Sequence, residues 1–409
     1  MIQAIGIDFG TTNSVVALRH EDGTTDVLRH GPGQTDVFRT LLCFWSEQER
    51  GLQLLHHAAG AAAIGAYLED PLDSRLIMSM KTYLAQRSFT ETRIFGRIFT
   101  LEVLIATFLR TLLADAPQAP RIIVGRPVRF AGESADDAFG AARLQAACQE
   151  AGLPGVTLML EPAAAGARFA RTLREPATVL IGDFGGGTSD FSLLRFDPHA
   201  GVTPLGHAGI GIAGDAFDFR IIDHAISPLL GREDTYRVMG KPMPIPAEFY
   251  AGFARWHRLS LMRAPRTLRA IEEVARTATD PHRLHRLITL IEDGQGYALY
   301  QAVSGAKAAL SVTEETVLRF RHKDFTVERR LLRSEFEAWI APDLARIAAT
   351  VDQALRDAAL PPRAVDRVFL TGGTAFVPAV RRLFADRFGE ERLEGGGEFV
   401  SVAQGLALG

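Results

Sequence analysis

The fold is decided by one stretch of the chain, Leu180-Ile181-Gly182-Asp183-Phe184-Gly185-Gly186-Gly187-Thr188-Ser189-Asp190. The apolar run from Thr178 to Ile181 that leads into it predicts a buried strand. The three glycines can adopt positive φ angles, which lets backbone N–H groups crowd onto an anion. The carboxylates of Asp183 and Asp190 cannot bind phosphate directly, so they must hold a metal ion or its waters. Strand, carboxylate, glycine turn and the Thr188 hydroxyl together predict a site for Mg²⁺ and nucleotide phosphates.

The same pattern occurs once more, at the start of the chain. The run Ile5-Gly6-Ile7-Asp8-Phe9-Gly10-Thr11-Thr12-Asn13-Ser14 also passes from a strand through Asp-Phe-Gly into hydroxyl residues. A single copy would be equally consistent with an ordinary hairpin, since glycine-rich turns are common. Two copies, each opening one half of the chain, predict a duplicated domain. Its two phosphate loops are expected to face each other across a cleft.

Composition places the chain among ordinary globular proteins and excludes some functions. It has 409 residues, enough for about two to four domains or subdomains, with 47% hydrophobic and 23% charged residues. A net charge of −3 gives no overall basic field, so we expect neither nucleic acid nor a membrane as partner. Cys43 and Cys148 form no zinc spacing, and we expect a reducing, cytoplasmic location. Asp8 follows a short apolar run, which indicates a strand rather than a signal peptide.

Two further residues in the first half are candidates for catalysis. Lys81 is one of only four lysines in the chain, but by itself it is interpreted as a solvated helix residue. Glu161-Pro162 ends a short apolar strand and begins a helix predicted over Ala163–Leu173, a corner where active-site residues are often found. The sequence is equally consistent with Glu161 being a helix-start carboxylate favoured by the helix dipole.

The second half contains two more glycine-rich turns. Residues 209–214 match the pattern GxGxxG, which is weak evidence alone, and we interpret them as a tight turn that presents Gly214 and Asp215 at a helix N-terminus. Thr371-Gly372-Gly373-Thr374 lies between a predicted strand and a predicted helix, so it is a third turn that could face a ligand. Residues 231–300, with prolines at 242, 244 and 246, are predicted to be irregular at first and look like an insertion.

Four motifs in this order resemble those of the DnaK-type heat-shock chaperones. They are the two Asp-Phe-Gly runs, Glu161-Pro162-Ala163-Ala164-Ala165, and Leu370-Thr371-Gly372-Gly373-Thr374. The resemblance covers the whole chain but only the nucleotide-binding domain of that family. The chain stops at Gly409 without the family's β-rich peptide-binding domain, so we expect no binding of extended hydrophobic peptides. The Met-Lys-Thr-Tyr-Leu run at Lys81 makes it most similar to the truncated YegD-like group.

The resemblance implies an α/β, actin-like ATPase fold. Two ribonuclease-H-like lobes, each with an appended subdomain, would flank a nucleotide cleft. Lobe I is expected over residues 1–175, with an inserted subdomain at about 25–115. Lobe II is expected over 176–409, with an inserted subdomain at about 220–300 and a final helix at 399–408.

The resemblance also implies a role for each matching residue, with ATP or ADP and Mg²⁺ as ligands. Asp8 and Asp183 would hold the metal and its waters. Lys81 would reach the γ-phosphate and Glu161 would orient the attacking water, so that the catalytic set is Lys81, Glu161, Asp183 and Thr188. The nucleotide contacts would come from Gly10, Thr11, Thr12, Asn13, Gly185, Gly186, Gly187, Asp190, Gly214, Asp215, Ser304, Lys307, Ser311, Gly372, Gly373, Thr374 and Phe376.

The chain departs from the family around the nucleoside. The family helix presents Glu and then Lys-Arg, whereas the aligned positions here carry Ser304, Lys307 and Ala308. The Arg that stacks on the base in the family aligns with Phe376. These changes affect the affinity for the base and its identity but leave the phosphate chemistry intact.

The sequence therefore predicts an Mg-dependent, weak ATPase that acts as a nucleotide-switched clamp on an unknown protein partner or client. An ATP-binding scaffold with negligible hydrolysis is a second hypothesis. A small-molecule kinase on the same fold is a third, for which the sequence offers no convincing catalytic base.

Overall fold

A computed structural model gives the structure of the chain. It describes residues 1–31, 33–49, 52–130, 135–153, 155–166, 173–254, 262–394 and 401–409. These residues form two compact units. Unit 1 comprises Met1–Gly211, Ile347–Phe376 and Val380–Gly409, and unit 2 comprises Ile212–Arg346 and Val377–Ala379. Both Asp-Phe-Gly runs lie in unit 1.

The strands, in chain order, are β1 (Ile2–Phe9), β2 (Asn13–His20), β3 (Thr25–Val27), β4 (Phe38–Arg39), β5 (Leu41–Glu49), β6 (Leu52–Ala59), β7 (Ser74–Met78), β8 (Glu91–Ile94), β9 (Arg97–Thr100), β10 (Ile122–Arg126), β11 (Thr157–Leu160), β12 (Ala177–Phe184), β13 (Ser189–Asp197), β14 (Gly201–Ile210), β15 (Thr235–Val238), β16 (Lys241–Pro244), β17 (Glu315–His322), β18 (Phe325–Leu332), β19 (Arg367–Thr371) and β20 (Leu393–Glu394).

The α-helices are α1 (Gly60–Glu69), α2 (Leu101–Leu112), α3 (Asp137–Glu150), α4 (Glu161–Ala165), α5 (Gly214–Ile221), α6 (Glu248–Ala251), α7 (Pro265–Ala275), α8 (Pro281–Glu292), α9 (Gly296–Val312), α10 (Arg333–Asp357), α11 (Pro378–Phe388) and α12 (Ser401–Leu408). Short 3₁₀ turns at Met80–Tyr83 and Gly373–Phe376 also carry site residues.

The two main sheets of unit 1 share one connectivity. The first has the order β11-β10-β1-β2-β3, in which β1, β2 and β3 form an antiparallel meander while β10 and β11 run parallel to β1. The second has the order β14-β13-β12-β19-β20, with the same division into an antiparallel meander and two parallel strands. The predicted mixed α/β class is confirmed. The shared topology is what a duplicated chain would produce.

Strand β1 is packed on both faces, as its nearly continuous apolar sequence predicts. Ile5, Ile7 and Phe9 lie in the core that also contains residues of α2. On the opposite face Gly6 lies against the backbone of α12, where an added Cβ would fall far inside van der Waals distance of Ala403. The C-terminal helix α12 thus packs directly against the N-terminal strand β1. The expected lobe boundary at residues 175 and 176 stays a prediction, and it assigns this helix to the other lobe.

A Gly6→Ala change is expected to destabilise the fold by about 1–3 kcal/mol, because the new methyl group overpacks the β1–α12 contact. The matched control is Gly65→Ala in α1, where an added Cβ meets no atom within 4 Å and helix propensity improves. Thermal unfolding of both variants measures the difference. Equal melting temperatures for the two variants would show that the β1–α12 contact is not tight.

Some predicted elements differ from the observed ones. The prolines at 242 and 244 do not keep that segment irregular, since β16 pairs with β15 in a hairpin whose second strand is fully exposed. Proline is tolerated on such an edge because the missing N–H would have faced water. The helix predicted over 163–173 is observed as α4, and residues 167–172 lie outside the described part of the chain. The final helix, predicted from residue 399, is observed from Ser401, and residues 399 and 400 also lie outside the described part of the chain.

Unit 2 has its own core and ion pairs. Phe217 of α5 packs edge-on against Phe336 of α10. The Arg220 guanidinium forms a bidentate ion pair with the buried Asp343 carboxylate, with distances of 2.7 and 3.0 Å.

Within the described ranges, no helix has both the length and the apolar content needed to cross a membrane.

Candidate functional site

The first Asp-Phe-Gly turn joins β1 to β2 and is braced by the short strand β4. The Thr40 N–H donates to the Thr12 carbonyl at 2.9 Å, and the Thr40 and Ser14 hydroxyls are 2.8 Å apart in a buried environment. The Arg39 guanidinium donates to the Asn13 side-chain oxygen at 3.1 Å. These bonds fix the turn from outside, so that its backbone and the Thr11 and Thr12 side chains line a cavity.

The second turn joins β12 to β13 and is closed by its own backbone. The Gly185 N–H donates to the Thr188 carbonyl at 2.8 Å. The Thr371 hydroxyl, at the end of β19, donates to Asp183 Oδ1 at 2.9 Å and so orients that carboxylate. Gly372 follows with φ of +85°, and its Cα lies so close to the Phe184 carbonyl that a side chain has no room there. The third predicted turn therefore supports the second one directly.

The two Asp-Phe-Gly turns lie in contact with each other. An added Cβ on Gly186 would lie 2.8 Å from Cγ2 and 3.0 Å from Oγ1 of Thr12. Gly186 therefore lets the second turn approach the Thr12 side chain of the first, and Gly10, Thr12, Gly185 and Gly186 all line the same cavity. The expectation that the two turns face each other holds within unit 1.

Lys81 is buried, which corrects its interpretation as a solvated helix residue. Ser79, with φ of 55°, turns the chain from β7 into the 3₁₀ turn at Met80–Tyr83. This directs the Lys81 ammonium to the cavity, where it donates to Glu161 Oε1 at 2.6 Å. Each of the two side chains is only 10% exposed. Left-handed conformations of residues other than glycine cost energy and occur often at functional sites.

The electrostatics of the cavity favour a cation. Burial, followed by the charge of Glu161, raises the pKa of Asp8 well above its usual value, and Lys81 opposes this only in part. Burial alone would lower the pKa of Lys81, but the charge of Glu161 and then that of Asp8 raise it, so the ammonium stays protonated. A cluster of carboxylates held this close resists full ionisation unless positive charge is supplied.

Asp190 shows the same effect. Burial, followed by the charge of Asp183, raises its pKa to about 7. Its side chain is nevertheless 43% exposed. Water therefore screens part of the charge that Asp183 exerts on it.

The cavity has more acidic than basic side chains. Its acidic side chains are Asp8, Glu161, Asp183 and Asp190, and its basic ones are Lys81 and Arg129. When all six are ionised, the lining has an excess of two negative charges. Four polar residues that the sequence motifs did not indicate also line the cavity: Thr82, Arg129, Ser192 and His207. Ser192 lies two residues after Asp190 and so on the same face of β13. This spacing in the sequence could have indicated that Ser192 lies near the site. His207 is placed there only by strand register.

Unit 2 contains a cluster of predicted residues around Lys307. The Lys307 ammonium donates to the Gly214 carbonyl at 3.1 Å and pairs with the Asp218 carboxylate at 3.0 Å. Tyr300 donates its hydroxyl to Asp215 at 3.0 Å. Asp218 was not predicted, although its spacing after Gly214 puts it one turn along α5. Burial raises its pKa to about 6, against the opposing charge of Lys307.

Ser311 lies inside α9, one turn after Lys307, and donates to the Lys307 carbonyl at 3.3 Å. Ser304 is half-buried in the same helix. In unit 1, Thr374 is buried, whereas Phe376 is 54% exposed. An exposed phenyl ring is available to a ligand, since it is not part of the hydrophobic core.

No group of three or more His, Cys, Asp or Glu side chains in the described part of the chain is arranged to hold a metal ion. A metal at Asp8 and Asp183 would therefore need further ligands from outside the protein. Mg²⁺ in nucleotide sites is commonly bound in this way, with one or two carboxylates, substrate phosphates and water.

Comparison with known proteins agrees with this arrangement. A family model described as Hsp70 protein matches residues 289–408. The chain is 26% identical over 439 residues to the chaperone protein DnaK of Thermus thermophilus, and the match covers 100% of this chain and 60% of the relative. This chain is similar to the DnaK chaperones over its whole length. The resemblance inferred from the four motifs is confirmed.

Two further Hsp70 relatives give the same picture. The DnaK chaperones of Deinococcus proteolyticus and Deinococcus radiodurans are each 26% identical to this chain, over 428 and 429 residues. Each match covers 100% of this chain and 59% of the relative. The chain thus spans about three fifths of the length of these Hsp70 proteins.

Proposed function

We propose that the cavity of unit 1 binds the phosphates of ATP together with Mg²⁺ and hydrolyses the terminal phosphate. The observation that carries this proposal is the contact between the two Asp-Phe-Gly turns at Gly186 and Thr12 beside the buried Lys81–Glu161 pair. Backbone N–H groups from two such turns, one lysine and several carboxylates are what phosphoryl transfer requires, because catalysis there is mainly positioning and charge stabilisation.

The residues present fit Mg²⁺. The cavity carries an excess of carboxylates over basic side chains, and Asp8 and Asp183 occupy matching positions in the two Asp-Phe-Gly runs, with Thr371 orienting Asp183. These two side chains would hold the metal or its waters. When bound, Mg²⁺ would neutralise charge on the phosphate oxygens.

The protein's own residues would supply the rest of the mechanism. Lys81 remains protonated and would stabilise charge on the γ-phosphate. Glu161, as the acceptor of the Lys81 hydrogen bond, has a second oxygen with which to orient a water molecule. The Thr12 and Thr188 hydroxyls and the backbone of Gly185–Gly187 would hold the phosphate oxygens. The hydrogen bond between Lys81 and Glu161 exists before a ligand binds, so these two groups need little reorganisation.

ATP turnover and binding, measured together, test this proposal. We expect slow release of inorganic phosphate that requires Mg²⁺ and stops with EDTA, and ATP binding seen by calorimetry. Binding without phosphate release would favour the scaffold hypothesis instead. Phosphate transfer to an added alcohol in place of water would favour the kinase hypothesis.

We further propose that the nucleotide state is read by a protein partner, because the Hsp70 relatives are named chaperone proteins. Affinity capture should therefore be run with two baits, the protein loaded with ATP and the same protein loaded with ADP. A partner retained by one state only is the expected result. Identical sets of captured proteins would contradict a nucleotide-switched clamp.

Replacing Phe376 is expected to change nucleotide affinity without changing selectivity. A phenyl ring can stack on any base, for about 1–3 kcal/mol, but it donates no hydrogen bond. Phe376→Ala should therefore weaken ATP and GTP binding by a similar factor and leave turnover at saturation nearly unchanged. Calorimetric titration of both nucleotides into both proteins measures this. Strong ATP selectivity that is lost in the variant would contradict our interpretation.

A further inference from the structure

A buried arginine contacts the stretch of chain that carries Lys81. We call residues 79–89 the Lys81 segment. The Arg143 guanidinium, which comes from α3, donates from Nη1 to the Phe89 carbonyl at 3.0 Å. The same nitrogen lies 3.4 Å from the carbonyl of Tyr83, the last residue of the 3₁₀ turn that contains Lys81. These contacts join α3 to the far end of the Lys81 segment, and the mechanism above gives Arg143 no role.

The Arg143 guanidinium is itself fixed in orientation. Its Nε donates to Glu102 Oε1, on α2, at 2.5 Å, and its side chain is only 6% exposed. Burial alone would raise the pKa of Glu102, but hydrogen bonds, first of all the one from Arg143, lower it, so the carboxylate stays ionised. Because the N–H groups of a guanidinium point in fixed directions, this one side chain can bond a carboxylate on α2 and a carbonyl of the Lys81 segment together.

The conformation at the start of the Lys81 segment requires such support. Ser79 adopts a left-handed conformation with φ of 55°, and a residue of this kind persists only where its surroundings hold it in place. Met80 and Leu84 are buried in the core of unit 1 and anchor the first part of the segment. Arg143 holds the end of the segment, at Phe89.

A second arginine also joins the Lys81 segment to the start of α3. Arg87 donates to Asp136 Oδ2 at 2.6 and 3.1 Å, but its side chain is 70% exposed. Exposed ion pairs contribute little, because water screens them. Of these two arginines, the buried Arg143 is therefore the one that we expect to hold the segment firmly.

We propose that Arg143 is a positioning residue that keeps the Lys81 ammonium inside the cavity by joining the end of the Lys81 segment to α2 and α3. Its consequence for catalysis rests on the ATPase function proposed above, because a displaced ammonium would no longer meet the charge that develops on the γ-phosphate. Arg143 is not among the described residues that line the cavity. Its loss would therefore displace Lys81 without removing any group from the cavity.

The first test measures the exposure of Lys81 and requires no hydrolysis. Reductive methylation of the lysines, followed by mass spectrometry of the peptides, reports the reaction of each lysine separately. In the wild-type protein Lys81 should react more slowly than Lys241, which lies on the exposed strand β16. Arg143→Gln should speed the reaction of Lys81 by about 10-fold or more, because the reaction proceeds through the locally opened segment, and should leave that of Lys241 unchanged.

Two buried cysteines show whether the opening is local. Cys43 and Cys148 are free thiols in the interior of unit 1, so a thiol reagent reaches them only if unit 1 unfolds. We expect both to stay protected in Arg143→Gln under the conditions that expose Lys81. If Lys81 and the two thiols became reactive together, Arg143 would merely stabilise unit 1, and the positioning role would be overturned. Unchanged reactivity of Lys81 would overturn it as well.

The matched control is Arg110→Gln. Arg110 also joins α2 to α3, since it donates to the backbone carbonyl of Glu150 at 2.5 Å and to its carboxylate at 3.3 Å. Its replacement should leave Lys81 as protected as in the wild-type protein, and an equal rise in reactivity would overturn the specific role of Arg143. Arg143→Lys serves as a second variant if Arg143→Gln does not fold. One ammonium cannot bond the carboxylate and the carbonyl at once, so Lys81 should again react faster.

The second test is kinetic. Arg143→Gln should lower turnover at saturating ATP by about 10- to 100-fold, the size of loss that a small misplacement of a catalytic group produces, with ATP affinity nearly unchanged. The double variant Arg143→Gln/Lys81→Ala should be no slower than Lys81→Ala, because Arg143 acts through Lys81.

Wild-type turnover in Arg143→Gln, parallel losses of turnover and ATP affinity, or a further loss in the double variant would each overturn the role of Arg143 in hydrolysis. A wild-type protein that binds ATP without hydrolysing it would overturn the proposed function instead. In that case the labelling of Lys81 still decides whether Arg143 holds this lysine in the cavity.

Discussion

Asp183→Asn is expected to lower Mg-dependent ATP hydrolysis by about 10²-fold or more, the size of loss seen when one preorganised electrostatic contact is removed. The change removes one negative charge that would face the metal and keeps the shape of the side chain. The amide oxygen can still accept the Thr371 hydroxyl, which donates to Asp183 Oδ1 at 2.9 Å. The fold should therefore be preserved while the metal is lost. Turnover measured over a range of Mg²⁺ concentrations gives the result.

Asp366→Asn is the matched control for this variant. Asp366 lies just before β19, and its carboxylate accepts the Thr178 N–H at 2.7 Å, at the end of the sheet opposite the turn. It does not line the cavity, so its loss of charge should leave hydrolysis unchanged. Wild-type hydrolysis by Asp183→Asn in the presence of Mg²⁺ would show that the second Asp-Phe-Gly turn is not a phosphate and metal site.

Lys81→Ala and Glu161→Ala are each expected to retain ATP binding and to lower turnover by about 10²-fold or more. Lys81 would stabilise charge that develops on the γ-phosphate in the transition state, and Glu161 would orient the attacking water. Neither contact contributes much to the binding of ATP in the ground state. Lys81→Arg should not restore the rate, because a planar guanidinium does not replace a compact ammonium ion at this position. Single-turnover kinetics together with calorimetric binding separate the two effects. Losses in binding alone would indicate that the pair is structural.

The structure adds a second expectation for this pair. Removing Lys81 leaves the buried Glu161 carboxylate without its partner at 2.6 Å, and breaking a buried ion pair in this way typically costs about 3–5 kcal/mol. Lys81→Ala should therefore melt at a lower temperature than the double variant Lys81→Ala/Glu161→Ala, in which both charges are removed. The control is Lys241→Ala, a lysine on the exposed strand β16. If Lys81→Ala and Lys241→Ala melted at the same temperature, Lys81 and Glu161 would not form a buried ion pair.

Much of the site can be predicted from the sequence because its signals are local. An apolar strand, an Asp and a glycine turn are contiguous, and each copy forms its turn from hydrogen bonds among neighbouring residues, such as that from Gly185 N–H to the Thr188 carbonyl. The duplication of this pattern, the third glycine turn and the Glu161-Pro162 corner are likewise readable from adjacent residues. They were sufficient to indicate the resemblance to the DnaK-type chaperones, which the comparisons confirm.

The remaining features depend on residues that are distant in the chain. Lys81 and Glu161 are 80 positions apart, and Thr371 and Asp183 are 188 positions apart. No local pattern distinguishes a lysine that is solvated from one that is buried against a carboxylate, because desolvation depends on which other segments pack around it. For the same reason the sequence alone favoured a solvated Lys81, and it missed Asp218 as the partner of Lys307.

The sequence by itself determined the two Asp-Phe-Gly turns, the α/β class and the order of most strands and helices, since hydrophobic periodicity and turn chemistry act over a few residues. Only the tertiary structure decided which of these turns meet, which charges are paired and which face of β14 carries His207. A shift of one residue in the register of β13 and β14 would place His207 on the other face. That register is set by the packing of the whole sheet, and this is why His207 could not be assigned to the cavity before the fold was known.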